Sequence, residues 1–397
     1  MTRREEAGEM QLAERMSRLG TESAFDVLMR ARALEAQGRD IVHLEIGEPD
    51  FDTPEHVVQA GIDALQRGDT HYTPAAGTPA LRQAIAGYVG QTRGVPVVPE
   101  QVVVTPGGKP VMFFVIMALA GPGDEVICPD PGFPIYASAV AFAGATPVPL
   151  TLREEDGFAV DPDALRALVN ERTKLIILNS PHNPTGGVIP SAALDEIARL
   201  AVERGVPVLS DEIYSRMVYD GAFESITSRP GMAEQTVILD GFSKTYSMTG
   251  WRLGYGVMPA ALAEQVTRLA VNTHSCVPGF TQVAGVAALT GSQAAVDAMV
   301  AEFRQRRDVV VAGLNAIPGV SCQVPAGAFY AFPNVSRLGD SAAIADRLLD
   351  EGGVAVLDGG AFGAAGRGYL RLSYASSLDR LETALARMRQ VLAPEYR

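Results

Sequence analysis

Five short runs of apolar, mostly β-branched residues punctuate the chain: Val102-Val103-Val104, Glu125-Val126-Ile127-Cys128, Lys174-Leu175-Ile176-Ile177-Leu178, Val206-Pro207-Val208-Leu209 and Val237-Ile238-Leu239. Between them lie segments with helical spacing of apolar residues, such as Ala80 to Val89 and Ala192 to Val202. Strands apolar at consecutive positions are buried on both faces, and intervening helices supply the cover. The pattern predicts an α/β fold, with a mostly parallel sheet sandwiched by helices. On such sheets ligands sit outside the carboxyl ends of the strands. The segments found there are Thr105-Pro106-Gly107-Gly108-Lys109, Pro129 to Phe133, Asn179 to Gly186, Ser210 to Tyr214 and Asp240 to Lys244, each polar or glycine-rich.

Helix starts are marked by Thr53-Pro54, Thr78-Pro79, Asp161-Pro162 and Ser191, each offering a capping side chain. Residues 1 to about 20 are charged and lack an apolar period, which predicts a mobile lead-in. From about residue 290 the pattern changes to a long helix, Ala294 to Leu314, then a glycine-rich stretch and a terminal helix from Leu378. The expected organisation is a large domain over 51–289 and a smaller α+β domain over 290–397, to which residues 1–50 contribute.

Acidic residues outnumber basic ones, giving a formal net charge of −13. That balance provides no footprint for nucleic acid or an anionic membrane surface. The longest strongly apolar run, Val111 to Ala120, is about half the ~20 residues that span a bilayer. Arg3, Arg4, Glu5 and Glu6 are not followed by the apolar stretch of a signal peptide. Cys128, Cys276 and Cys322 are odd in number and widely spaced, fitting neither a disulfide framework nor a zinc knuckle, so a reducing cytoplasm is expected. The five histidines include no pair at helical ligand spacing, and no metal is expected.

The strongest chemical signal is Gly241-Phe242-Ser243-Lys244-Thr245-Tyr246-Ser247-Met248-Thr249-Gly250-Trp251-Arg252 at the end of a strand. An isolated lysine on a turn is ordinarily a solvated surface charge. Burial or a cationic neighbour such as Arg252 lowers its pKa and makes it a nucleophile or Schiff-base former. Asp211 and Tyr214 follow another strand, where a carboxylate holds a ring nitrogen protonated and a tyrosine donates to a phenolic oxygen; taken alone, Ser210-Asp211 reads equally as a helix cap. Asn183, in a turn rich in Asn-Pro and Gly-Gly, offers a second donor. Gly107-Gly108-Lys109 before an apolar helix is either a plain turn or an anion cradle. It is not a nucleotide P-loop, because Pro110 stands where a magnesium-binding hydroxyl is required, and Gly359 to Gly366 lacks the dinucleotide spacing.

In order along the chain, Gly47-Glu48-Pro49-Asp50-Phe51, Tyr72-Thr73-Pro74-Ala75-Ala76-Gly77, the Gly-Gly-Lys turn, Asn183-Pro184-Thr185-Gly186, Asp211-Glu212-Ile213-Tyr214, the Lys244 segment and Arg371-Leu372-Ser373-Tyr374 resemble the class I/II aminotransferases of fold type I. The resemblance implies pyridoxal 5'-phosphate as cofactor and a homodimer with shared active sites. By the same resemblance Lys244 forms the Schiff base and shuttles a proton, Asp211 pairs with the pyridine nitrogen, and Asn183 and Tyr214 bond the ring oxygen. Phe133 stacks on the ring; Gly107, Gly108, Lys109, Ser243 and Arg252 surround the phosphate, with Tyr72 arriving from the other subunit. Arg371 takes the substrate carboxylate, and Gly47 and Asn183 lie beside the substrate. A lysine at the Lys109 position suggests aspartate or glutamate as donor, and a solvated helix-start lysine is the competing explanation. The implied activity is ping-pong transfer of an amino group between an L-amino acid and a 2-oxo acid. A lyase, decarboxylase, synthase or oxidase on the same fold is the alternative.

Overall fold

Each of the five apolar runs forms a strand. The computed structural model describes residues 10–393, so the expectations for Arg3 to Glu6 lie outside the described residues. In chain order the strands are β1 (Val42–His43), β2 (Val102–Thr105), β3 (Glu125–Asp130), β4 (Thr146–Thr151), β5 (Thr173–Asn179), β6 (Val208–Asp211), β7 (Thr236–Gly241), β8 (Gly254–Val257), β9 (Tyr330–Ala331), β10 (Val354–Ala355), β11 (Leu357–Asp358) and β12 (Leu370–Ser373). Seven of them make one sheet in the order β2-β8-β7-β6-β5-β3-β4, in which β8 alone runs against its neighbours.

Consecutive residues of each central strand go to opposite cores. Val103, Leu175, Ile177, Leu209, Val237 and Leu239 join one apolar cluster. Val102, Val104 and Ile238 join a second on the other face, and Ile176, Leu178 and Val208 a third. This two-sided burial is why the runs are continuously apolar. The first helices in the chain are α1 (Ser23–Glu35), α2 (Glu55–Arg67), α3 (Pro79–Arg93), α4 (Lys109–Leu119) and α5 (Ile135–Ala143), of which α3, α4 and α5 pack directly on strands of this sheet. A separate apolar cluster joins helix Ala294–Asn315, helix Ser341–Asp350, helix Leu378–Leu392 and β12 to Val42 and Leu44 near the start of the chain.

Two strands of the seven-stranded sheet carry no sequence signature. β4 contains Pro147 and Pro149, which remove amide donors, and it survives because it is an edge strand. β8 reads Gly-Tyr-Gly-Val, and a Cβ at Gly254 would overlap the backbone of Gly107 and Gly108.

Two of the expected caps hold. Thr78 accepts from the Leu81 amide, and Asp161 from the Asp163 amide. The other two do not. α2 begins at Glu55 with no side-chain cap, because the Thr53 hydroxyl donates to the Ser247 carbonyl and accepts from the Trp251 indole. Ser191 is the first residue inside its helix, and its hydroxyl donates to Glu224. The expected lead-in also needs correction. Glu14–Arg18 forms a turn of 3-10 helix, and the Arg18 guanidinium and Gly20 amide donate to the Ala141 carbonyl and the Ser138 hydroxyl of α5.

Candidate active site

The strand-end segments converge on one cavity of about 380 Å³, within the range of small-molecule sites. Gly47, Gly108, Lys109, Phe133, Asn183, Asp211, Tyr214, Ser243, Lys244, Arg252 and Arg371 all line it. Gly107 sits behind the wall, and Tyr72 lies outside the cavity of its own chain, 93% exposed.

Lys244 is at the cavity floor, where its ammonium donates to the Gly47 carbonyl. Burial lowers its pKa to about 8; Arg371 and Arg252 push the same way, while Glu48 and Glu22 oppose. Near neutral pH this amine is therefore neutral and nucleophilic far more often than an ordinary lysine, although the ammonium still predominates. The rate at which the cofactor-free protein captures an aromatic aldehyde should rise through pH 7 and level off above about 8. A rate still climbing through pH 10, followed by stopped-flow absorbance, would show an unperturbed lysine.

Asp211 is the last residue of β6, and a turn rather than a helix follows it, so it caps none. Its Oδ2 accepts from the Tyr136 hydroxyl at 2.6 Å and its Oδ1 from the Ile213 amide at 3.2 Å. Burial nevertheless raises the carboxyl to about 6, with those two bonds opposing the rise and nearby Glu212 adding to it. Among the described residues it has no salt-bridge partner; a protonated ring nitrogen is the kind of group that restores its charge. The Tyr214 and Tyr330 hydroxyls share a hydrogen bond of 2.7 Å. Asn183 is held by its amide on Asn179 Oδ1, and the Asn179 side-chain amide also reaches the Asp211 carbonyl at 3.0 Å. The ends of β5 and β6 are thereby tied together.

Arg371, on β12, is 5% exposed. Its guanidinium donates to the Glu45 carbonyl and, at 3.4 Å, to Asn183 Oδ1; its Nε has no partner. The rings of Tyr330 and Phe362 flank it at 4.7 and 5.1 Å. Among the described residues no carboxylate pairs with this buried cation, which suits it to a bidentate anion from outside the chain. At the opposite side, no side chain caps α4, so its N-terminus beside Ser243 and Arg252 is left for an anion. Gly107 has φ +89°, and a Cβ there would overlap the Arg252 guanidinium.

Behind the floor, Arg93 of α3 is buried between carboxylates that flank the reactive strands. Its Nε donates to Glu212 at 2.8 Å, and its Nη2 to Asp240 at 2.8 Å and to the Ser215 hydroxyl at 2.9 Å. Glu212 follows Asp211, and Asp240 precedes Lys244 by four residues, so one guanidinium braces both.

Sequence reasoning did not single out Tyr136, Tyr330, Asn179, Glu22 or Phe362 as site residues. Tyr136 is three residues after Phe133 at the start of α5, a spacing that shares a helix face. Tyr330 and Phe362 have no local signature.

Residues 39–388 match the family model for aminotransferase class I and II. The chain belongs to that family. This aminotransferase is 38% identical to an aspartate aminotransferase of Pyrococcus horikoshii over 97% of its own length and 98% of the relative's. It is 40% identical to an arginine–pyruvate transaminase of Pseudomonas aeruginosa over 92% and 93%. Its fold matches the solved aspartate aminotransferase from Thermus thermophilus with maleate at a TM-score of 0.93 and 39% identity, covering 96% of this chain and all of that one. The fold type I resemblance is thus established, and the aminotransferase is an enzyme acting as a transaminase. Among the described residues no single helix is long and apolar enough to cross a membrane.

Proposed function

We propose that this aminotransferase uses pyridoxal 5'-phosphate to exchange an amino group between an acidic L-amino acid, aspartate or glutamate, and a 2-oxo acid. What supports the reading most is one cavity combining a lysine of lowered pKa, a strand-end carboxylate and a buried arginine whose Nε has no partner among the described residues. The residues suit that cofactor. The N-terminus of α4 with Gly108, the Lys109 amide, Ser243 and Arg252 would hold the phosphate, and Asp211 the ring nitrogen. Tyr214 and Asn183 would hold the ring oxygen, and Phe133 the ring face. When bound, the cofactor supplies an electron sink that acidifies the substrate Cα–H.

The chain's own contributions follow from its chemistry. Asp211 would hold the ring nitrogen in its protonated form, the positive charge offsetting the burial that raises its carboxyl. Arg371 takes the substrate α-carboxylate with its planar fork and so fixes the orientation of the Cα–H bond. Lys244 Nζ, neutral once the ammonium has lost its proton, accepts the Cα proton and holds it until it is returned. Gly47 admits the Tyr330 hydroxyl to the cavity wall, since a Cβ there would overlap it.

The reading includes a homodimer in which the exposed Tyr72 enters the second copy's phosphate end, and a cytoplasmic setting consistent with the free thiols of Cys128, Cys276 and Cys322. It also keeps the division into a large unit over 51–289 and a small one built from 1–50 and 290–397. Initial rates with aspartate, glutamate, alanine and arginine against 2-oxo acid acceptors test donor choice. The expected order puts aspartate or glutamate first in kcat/KM, and a preference for arginine or alanine would overturn it.

A further inference from the structure

Four cations line the cavity: Lys109, Lys244, Arg252 and Arg371. Under the reading above, Lys244 reacts, Arg252 meets the phosphate and Arg371 meets the α-carboxylate. Lys109 is left over. It is the first residue of α4, with its ammonium 5.5 Å from the Phe133 ring centroid. It is also already paired, with the carboxylate of Glu22.

Glu22 stands immediately before α1, and the stretch Glu22 to Phe25 forms part of the cavity wall. Its side chain is only 19% exposed, and its carboxylate bonds none of the α1 amides. Its charge is felt at Lys244, Tyr330 and Arg371, so it faces the space a substrate enters. The pair therefore brings a carboxylate belonging to the protein onto the one cavity cation that lacks another task.

We propose that Glu22 is a resident stand-in for the distal carboxylate of a dicarboxylic substrate and sets specificity by competing with that group for Lys109. The proposal rests on the transaminase reading and deepens it. An amino acid with an uncharged side chain leaves the pair closed, so no buried charge is stranded. The distal carboxylate of a dicarboxylic substrate held at Arg371 competes for the same ammonium, and the repulsion between the two carboxylates makes them exclude one another. The released Glu22 stays at the N-terminus of α1, where the helix dipole favours a negative charge. The Lys109 side chain is 51% exposed, so the exchange is between modest interactions, and either class of substrate can be admitted.

The test is calorimetric binding of succinate and butyrate to the enzyme loaded with pyridoxal 5'-phosphate, for the wild type, Glu22→Gln and Lys109→Met. Removing the competitor should raise the ratio of succinate to butyrate affinity about three- to fivefold, the scale of a half-exposed ion pair. Lys109→Met should abolish the wild-type preference for succinate. A ratio unchanged or lowered by Glu22→Gln overturns the proposal, as does the absence of succinate binding. Failure of the donor reading shows up separately, as a wild-type enzyme that prefers arginine or alanine in turnover, whatever the binding ratio.

Discussion

Replacing Lys244 with alanine should lower kcat for transamination by about 10⁴-fold or more, the upper end for loss of a positioned acid–base group. No neighbour can take over. The other basic groups lining the cavity, Lys109, Arg252 and Arg371, are an ion-paired ammonium and two guanidiniums, and a guanidinium offers no acceptor for a proton. The substitution should leave cofactor affinity partly intact, because the uncapped α4 N-terminus, Arg252 and Asp211 do not depend on the lysine. Equilibrium dialysis of pyridoxal 5'-phosphate alongside single-turnover rates separates these outcomes. Wild-type turnover in Lys244→Ala would remove the lysine from the chemistry.

The second large effect is on stability. Arg93→Ala would leave Glu212 and Asp240, both buried, without their shared cation. Breaking a buried pair from one side costs about 3–5 kcal/mol, and here two carboxylates are stranded at once. Asp240 already sits at about 7 through burial, with Arg93 the main group holding it down. Losing that cation drives it further towards the neutral acid. Urea unfolding should show a midpoint well below wild type with an unchanged slope. Arg93→Lys keeps the charge but not the fork, and should fall between the two. A midpoint within experimental error of wild type would mean that the network does not brace the sheet.

What the sequence made legible follows from where each residue sits. Asp211, Asn183 and the Lys244 segment stand at or just beyond the ends of strands that are buried on both faces, so the apolar runs themselves pointed to them. β4 and β8 stayed hidden because prolines and glycines replace the β-branched signal in an edge strand and in a strand packed against backbone. Tyr330 was not legible because its role is purely tertiary. It is 116 residues from Tyr214, yet their hydroxyls meet, and it stacks on Arg371 from a two-residue strand. Gly47 was legible as a close approach, but one reason for it, the Tyr330 hydroxyl, appears only in three dimensions. Glu22 fell next to a stretch that reads as solvated because its charges dominate; the packing of residues 18–20 on α5 brings it to the cavity.

The central claim is that Lys244 and its neighbours carry an amino group from one substrate to the enzyme and then to another. The most direct measurement mixes the loaded enzyme with aspartate and no acceptor, following the cofactor's visible absorbance and the oxo acid released. Transamination predicts loss of the absorbance with one oxo acid per protomer, and its return when a 2-oxo acid is added. Product that keeps accumulating with no acceptor, while the absorbance persists, would contradict the account in favour of a lyase, decarboxylase or oxidase.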